Sequence, residues 1–138
     1  MQRSDSRPHK IIEGLYLGSV GAAYTYSSIK NFKISHILTV CDGLPPKFPN
    51  EFEYTVIRIL DEPNARLSAH FRECVDLIHN ILSQHRNILV HCFAGVSRSA
   101  TIVIAYLMRY KGMVLRDAIL HVRSRRPWIN PNPGFMNQ

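Results

Sequence analysis

The chain is poor in cysteine: Cys41, Cys74 and Cys92 are the only three in 138 residues. An odd, widely spaced set excludes the paired framework of a small secreted scaffold and suits reduced thiols in an intracellular compartment. Long apolar stretches are also missing. The longest covers residues 101–108, far short of the roughly 20 residues a membrane helix needs. The opening MQRSDSRPHK holds no apolar signal core and no myristoylation glycine. Repeats and low-complexity tracts are absent. The expectation is one domain without a membrane segment, monomeric and cytoplasmic, with the nucleus left open because RSRR is too weak to serve as a nuclear signal. Residues 1–9 read as a flexible tail and residues 10–138 as the folded unit.

Acidic residues are scarce too, 10 against 17 lysines and arginines. The imbalance is concentrated in residues 92–138, where seven basic residues face only Asp117 and leave +6. Such a face favours anionic partners. Two readings of Arg123, Arg125 and Arg126 stay open: part of that face, or cations gathered where a helix C-terminus welcomes them. Aromatic interleaving and nucleic-acid signatures are lacking, so no nucleic-acid partner is expected.

What is present alternates between strand and helix signals. KIIEGLYLG reads as a first strand closed by Gly18, residues 22–32 as a short helix, and ISHILTV as a buried β-branched strand ending near Cys41. The alternating YTVIRIL reads as a further strand. Phe71, Val75, Ile78 and Leu82 recur at helical spacing, with Ser68 placed to cap that helix. ILVH is a short buried strand. Residues 101–111 are apolar nearly all round, which predicts a central helix stopped by Gly112. Leu115, Ala118, Ile119 and Val122 mark one more helix before Pro127, and NPNPGFMNQ looks like the entry to a last one. Strands separated by helices predict an α/β fold: a central, mostly parallel sheet of about five strands with helices on both faces.

The chemistry concentrates in HCFAGVSRSAT, residues 91–101. Cys92 sits at the carboxyl end of the ILVH strand, where open α/β sheets bind ligands. The residues after it turn into a helix N-terminus, whose unpaired N–H groups and partial positive charge suit a phosphate. Gly95 permits a backbone in which successive amides curl into one concavity. Arg98 adds a planar fork for two phosphate oxygens. Cysteines in such surroundings ionise more readily than free thiols. The cradle thus gathers a phosphate and prepares a nucleophile.

HCFAGVSRSAT resembles the HCxxGxxRS signature of cysteine-dependent protein phosphatases, in the AGxSRS form of the dual-specificity branch. IIEGLYLGS, ISHILTV, LSAHF and NPNPGF resemble stretches of its small stand-alone members, in the same order, so the likeness covers most of residues 10–138. It implies a phosphatase-like fold with residues 10–138 as the catalytic domain, and phosphorylated proteins as partners. Cys92 would be the nucleophile and Arg98 the phosphate clamp. The amides of Phe93, Ala94, Gly95, Val96, Ser97 and Arg98 would hold the remaining oxygens. His91 would brace the loop and help set the thiolate, and Ser99 would donate a hydrogen bond that improves the thiolate as a leaving group. Asn132 would support the loop from behind.

A leaving alkoxide needs a proton, so a carboxylic acid must stand by. Asp61 lies six residues before the Leu67-Ser68 pair, the spacing the family uses; Glu62 falls one residue off. The implied reaction passes through a phosphocysteine and needs no metal or cofactor. His70, His79, His85 and His121 lack metal-ligand spacing and read as helix-face residues. Cys41, ending a strand beside Cys92, is a candidate redox partner for it. Three alternatives stand further off. A phosphoinositide phosphatase of the superfamily would place lysines in the loop, an RNA 5′-phosphatase would lack the AGxSRS form, and a phosphoprotein-binding module would have lost Cys92, Arg98 or Asp61. A tyrosine-only enzyme needs a longer chain to deepen its pocket.

Overall fold

The computed structural model describes residues 5–58, 70–94 and 97–130. Among these residues five strands form one sheet in the order β1-β2-β5-β3-β4. They are β1 (His9–Ile12), β2 (Leu15–Gly18), β3 (Ile34–Val40), β4 (Glu53–Ile57) and β5 (Asn87–His91). Among the described residues only the β1–β2 pair is antiparallel; β2, β5, β3 and β4 run parallel. The register pairs His91 with both Gly18 and Thr39, and Val40 with Ile57. The carboxyl ends of four strands therefore share one edge, with β5 in the middle.

Helices cover both faces, as the alternation predicts. The helices α3 (Phe71–Ser83), α4 (Arg98–Tyr110) and α5 (Leu115–Arg125) pack on Ile88 and Val90 of β5 and Leu38 and Val40 of β3. The short helices α1 (Val20–Ala23) and α2 (Tyr26–Asn31) cover Leu89 and Ile37 on the other side. Neighbouring residues of β5 thus enter opposite cores, which explains why the whole strand is apolar. The helix α4 is buried on nearly every side and ends at Lys111, with Gly112 at φ +67.

Four expectations need correction. KIIEGLYLG is two strands, not one: Gly14 adopts φ +87 and turns the chain back on itself. A side chain there is strained by that φ, and its Cβ, 2.7 Å from Leu82 Cδ2, would force the leucine to shift. Residues 22–32 are not one helix. Thr25 is extended (φ −108, ψ 106) and its Oγ1 donates to Gly21 O at 2.7 Å, so a side-chain bond takes over where the first helix stops. His85 lies in the left-handed turn after α3 (φ 59) rather than on a helix face. Lastly, His9 already belongs to β1 and Asp5 is paired with Arg126, so the fold begins before residue 10. His70 occupies the N-cap of α3, while Ser68 lies outside the described residues.

Candidate active site

The central strand β5 delivers His91 and then Cys92 to the shared carboxyl edge. Both are 1% exposed. Five residues after Cys92, Ser97 is the N-cap of α4; Thr101 donates to its carbonyl through both N (2.9 Å) and Oγ1 (2.8 Å). Arg98 is the first helical residue and Ser99 the second, and Ser99 is fully buried. Its Oγ lies 3.1 Å from Cys92 Sγ. The sulfur thus meets a hydroxyl inside the first turn of a thirteen-residue helix, where the macrodipole favours negative charge.

His91 braces the loop through a defined tautomer. Its Nδ1 lies 3.1 Å from Cys92 O, which can only accept, so Nδ1 carries the proton. Its Nε2 then accepts from Thr39 Oγ1 at 2.9 Å across the β5–β3 pair. Burial lowers the imidazole pKa to about 4, so the ring is neutral at pH 7. The ring thus joins the Cys92 carbonyl to β3 and carries no imidazolium charge at neutral pH.

The carbonyls that follow are also held. Val20 N donates to Phe93 O at 2.9 Å, and Arg126 Nη2 donates to Ala94 O at 3.0 Å. The Phe93 side chain projects outward, 59% exposed, at the rim of the site. Cys41, 4% exposed and next after β3, lies near Arg98 and Phe93. Burial pushes its thiol pKa up; Arg98, with hydrogen bonds from the Arg98 side chain and the Phe93 backbone, opposes that push. Arg98 and the Phe93 backbone therefore lie within reach of the Cys41 sulfur. Gly95, Val96, Asp61 and Asn132 lie outside the described residues.

Sequence reasoning missed two contributors, Thr39 and Arg126. Thr39 looks like any β-branched strand residue, and only the register exposes its role. Arg126 stood in a run with Arg123 and Arg125. Those two are exposed in the last turn of α5, as cations at a helix C-terminus should be, whereas Arg126 is 0% exposed. Among the described residues, no three His, Cys, Asp or Glu side chains gather as metal ligands would, and no helix is long and apolar enough to cross a membrane.

A family model described as the dual specificity phosphatase catalytic domain matches residues 15–138. Dual specificity protein phosphatase 1 of Arabidopsis thaliana is 48% identical over 136 residues, covering 99% of this chain and 69% of the relative. The crystal structure of DUSP15 superposes with TM-score 0.90 at 37% identity, over 96% of this chain and 84% of that one. The human tyrosine phosphatase-like serine/threonine/tyrosine-interacting protein superposes with TM-score 0.91 at 34% identity, over 96% and 92%. The chain belongs to the dual-specificity phosphatases, enzymes that hydrolyse phosphate monoesters of tyrosine and of serine or threonine in proteins through a phosphocysteine intermediate.

Proposed function

We propose that Cys92, Arg98, Ser99 and Asp61 carry out that hydrolysis in this chain. The observation behind the reading is the buried Cys92 Sγ, 3.1 Å from Ser99 Oγ at the point where β5 passes into α4. The thiolate attacks phosphorus in line. The bond to the leaving oxygen breaks as Asp61 gives that oxygen its proton, and phosphocysteine forms. The Asp61 carboxylate then takes a proton from water, the hydroxyl attacks phosphorus, and the sulfur departs as a thiolate stabilised by Ser99. Arg98 and the loop amides, from Phe93 to Arg98, stabilise the equatorial oxygens throughout. Asn132 supports the loop.

Phosphorylated proteins are the proposed substrates, without nucleic acid or membrane as partners, and the chain acts as a monomer. The match to the dual specificity phosphatase catalytic domain supports acceptance of phosphotyrosine, phosphoserine and phosphothreonine alike. Free thiols at Cys41, Cys74 and Cys92 support a reducing compartment, the cytoplasm with access to the nucleus, and a place in intracellular signalling.

A fold shared with a phosphatase-like interacting protein keeps a second reading in play, that of a phosphoprotein-binding module. The nucleophile separates the two. Turnover is to be measured on phosphotyrosine and phosphothreonine peptides, a phosphoinositide and 5′-triphosphorylated RNA, with Cys92→Ser as control. Turnover of both peptides that Cys92→Ser abolishes is expected. Preference for the lipid or the RNA would reassign the substrate, and peptide binding without turnover would make the chain a binding module.

A further inference from the structure

Three consecutive carbonyls, those of Cys92, Phe93 and Ala94, are each tied from outside the loop, by His91 Nδ1 (3.1 Å), Val20 N (2.9 Å) and Arg126 Nη2 (3.0 Å). In a trans peptide the carbonyl and the next amide point to opposite sides. Holding carbonyls outside is therefore what turns the following amides toward a bound anion. Of the three ties, Arg126 is the one made by a charged side chain, and it comes from a distant helix end.

We propose that Arg126 is a positioning residue for the phosphate loop and that Asp5 holds it in place. Arg126 is among the largest fully buried side chains in the molecule. A buried guanidinium is costly unless paired and hydrogen-bonded. Asp5 pairs with it in a fork, Nη2 to Oδ2 at 3.0 Å and Nη1 to Oδ1 at 3.2 Å. His9 Nδ1 accepts from Nη1 at 2.9 Å, and the Trp128 ring lies against the guanidinium at 4.8 Å. Burial and the Arg126 charge both lower the His9 pKa, consistent with a neutral ring accepting that bond.

Asp5 also connects to a second tie. Its backbone oxygen accepts from Ser19 Oγ at 2.9 Å, and Ser19 caps α1, whose first amide, Val20 N, holds Phe93 O. The N-terminal segment thus reaches the loop by two routes. Gly21 leaves room for it, since a Cβ there would run into Asp5 O.

Losing a donor that touches the transition state costs about 10²–10³ in rate. A donor acting one step removed should cost less, about 10–100-fold. The test uses Arg126→Lys, which keeps the charge and loses the fork, and Asp5→Asn, which keeps the shape and loses the charge. Arg125→Ala, an exposed neighbour, is the control. Three quantities are read: kcat, KM on an aryl phosphate, and inhibition by orthovanadate, which mimics five-coordinate phosphorus. Both variants should lower kcat and weaken vanadate inhibition by about 10-fold or more, with KM changed less; Arg125→Ala should move neither. Folding is checked by thermal melting, and if Arg126→Lys does not fold, Asp5→Asn decides. Folded variants that keep kcat and vanadate inhibition within about twofold of the parent overturn the proposal. It rests on the phosphatase reading, so parent activity that disappears in Cys92→Ser is established first; an inert parent is then a different failure from an unmoved variant.

Discussion

Ser99 Oγ stands 3.1 Å from Cys92 Sγ, and both residues are buried. A hydroxyl in that place can donate to a thiolate, and hydrogen bonds to charged groups contribute about 1.5–3 kcal/mol. The bond matters most when sulfur must leave phosphorus. Ser99→Ala should therefore slow hydrolysis of the phosphocysteine by about 10–100-fold and leave its formation nearly intact. Rapid mixing with an activated aryl phosphate should show a burst close to one equivalent of phenol, followed by slow turnover. An equal slowing of both phases would place Ser99 in the attack step instead.

The Thr39–His91–Cys92 chain makes stability sensitive to acid. Buried His91 titrates at about 4 in the folded protein, and an unfolded histidine near 6.5. Between those values the unfolded chain binds a proton that the folded one does not. Stability is therefore full above pH 6.5 and falls as pH drops toward 4. His91 alone should cost about 2 kcal/mol between pH 7 and pH 5. His36 and His9, also lowered chiefly by burial, add in the same direction. Urea unfolding at the two pH values measures the loss, and His91→Asn should flatten the dependence. Stability that is unchanged or higher at pH 5 would contradict the buried neutral ring.

The parallel core and the place of Cys92 between strand and helix were legible because their signals are local. The apolar ILVH run identifies a central strand, and the small residues between Cys92 and Arg98 mark the passage into the next helix. The β1–β2 hairpin was hidden because Gly14 interrupts a pattern that reads smoothly through it; only the positive φ reveals the turn. The break between α1 and α2 depends on one threonine hydroxyl, which periodicity does not register. Arg126 was beyond reach for a different reason. Its burial depends on Asp5, 121 residues away in sequence, and no short window relates the two.

Cys41 and Cys92 should form a reversible disulfide under peroxide. Peroxide oxidises the Cys92 thiolate to a sulfenic acid and is itself reduced to water. The Cys41 sulfur then attacks the Cys92 sulfur, the S–S bond forms, and the sulfenic oxygen leaves as water. Burial raises the Cys41 pKa, so its attacking thiolate is scarce at neutral pH and closure should accelerate as pH rises. Mass spectrometry of the peroxide-treated protein should find the Cys41–Cys92 linkage, and dithiothreitol should restore activity. Cys41→Ser should recover less, because its sulfenic acid proceeds to irreversible forms. Equal recovery of Cys41→Ser and the parent would remove Cys41 from redox control.

The assignment of Asp61 can be tested through the leaving group. A phosphothreonine alkoxide is a very poor leaving group and depends on protonation. A phosphotyrosine phenoxide, with pKa near 10, is intermediate, and an activated nitroaryl phenoxide hardly needs a proton. Asp61→Ala should lower kcat by about 10²–10⁴ on a phosphothreonine peptide, the usual contribution of a positioned acid. The loss should shrink toward the activated substrate, with KM little changed because Arg98 and the loop still bind the phosphate. Glu62→Ala should show no such gradient. Cys92→Ser should abolish turnover on all three substrates, since each needs the same nucleophile. Measuring kcat for the three variants on the three leaving groups decides the matter. A loss in Asp61→Ala that is equal across leaving groups would give Asp61 a role in ordering the site and send the search for the acid to another carboxylate.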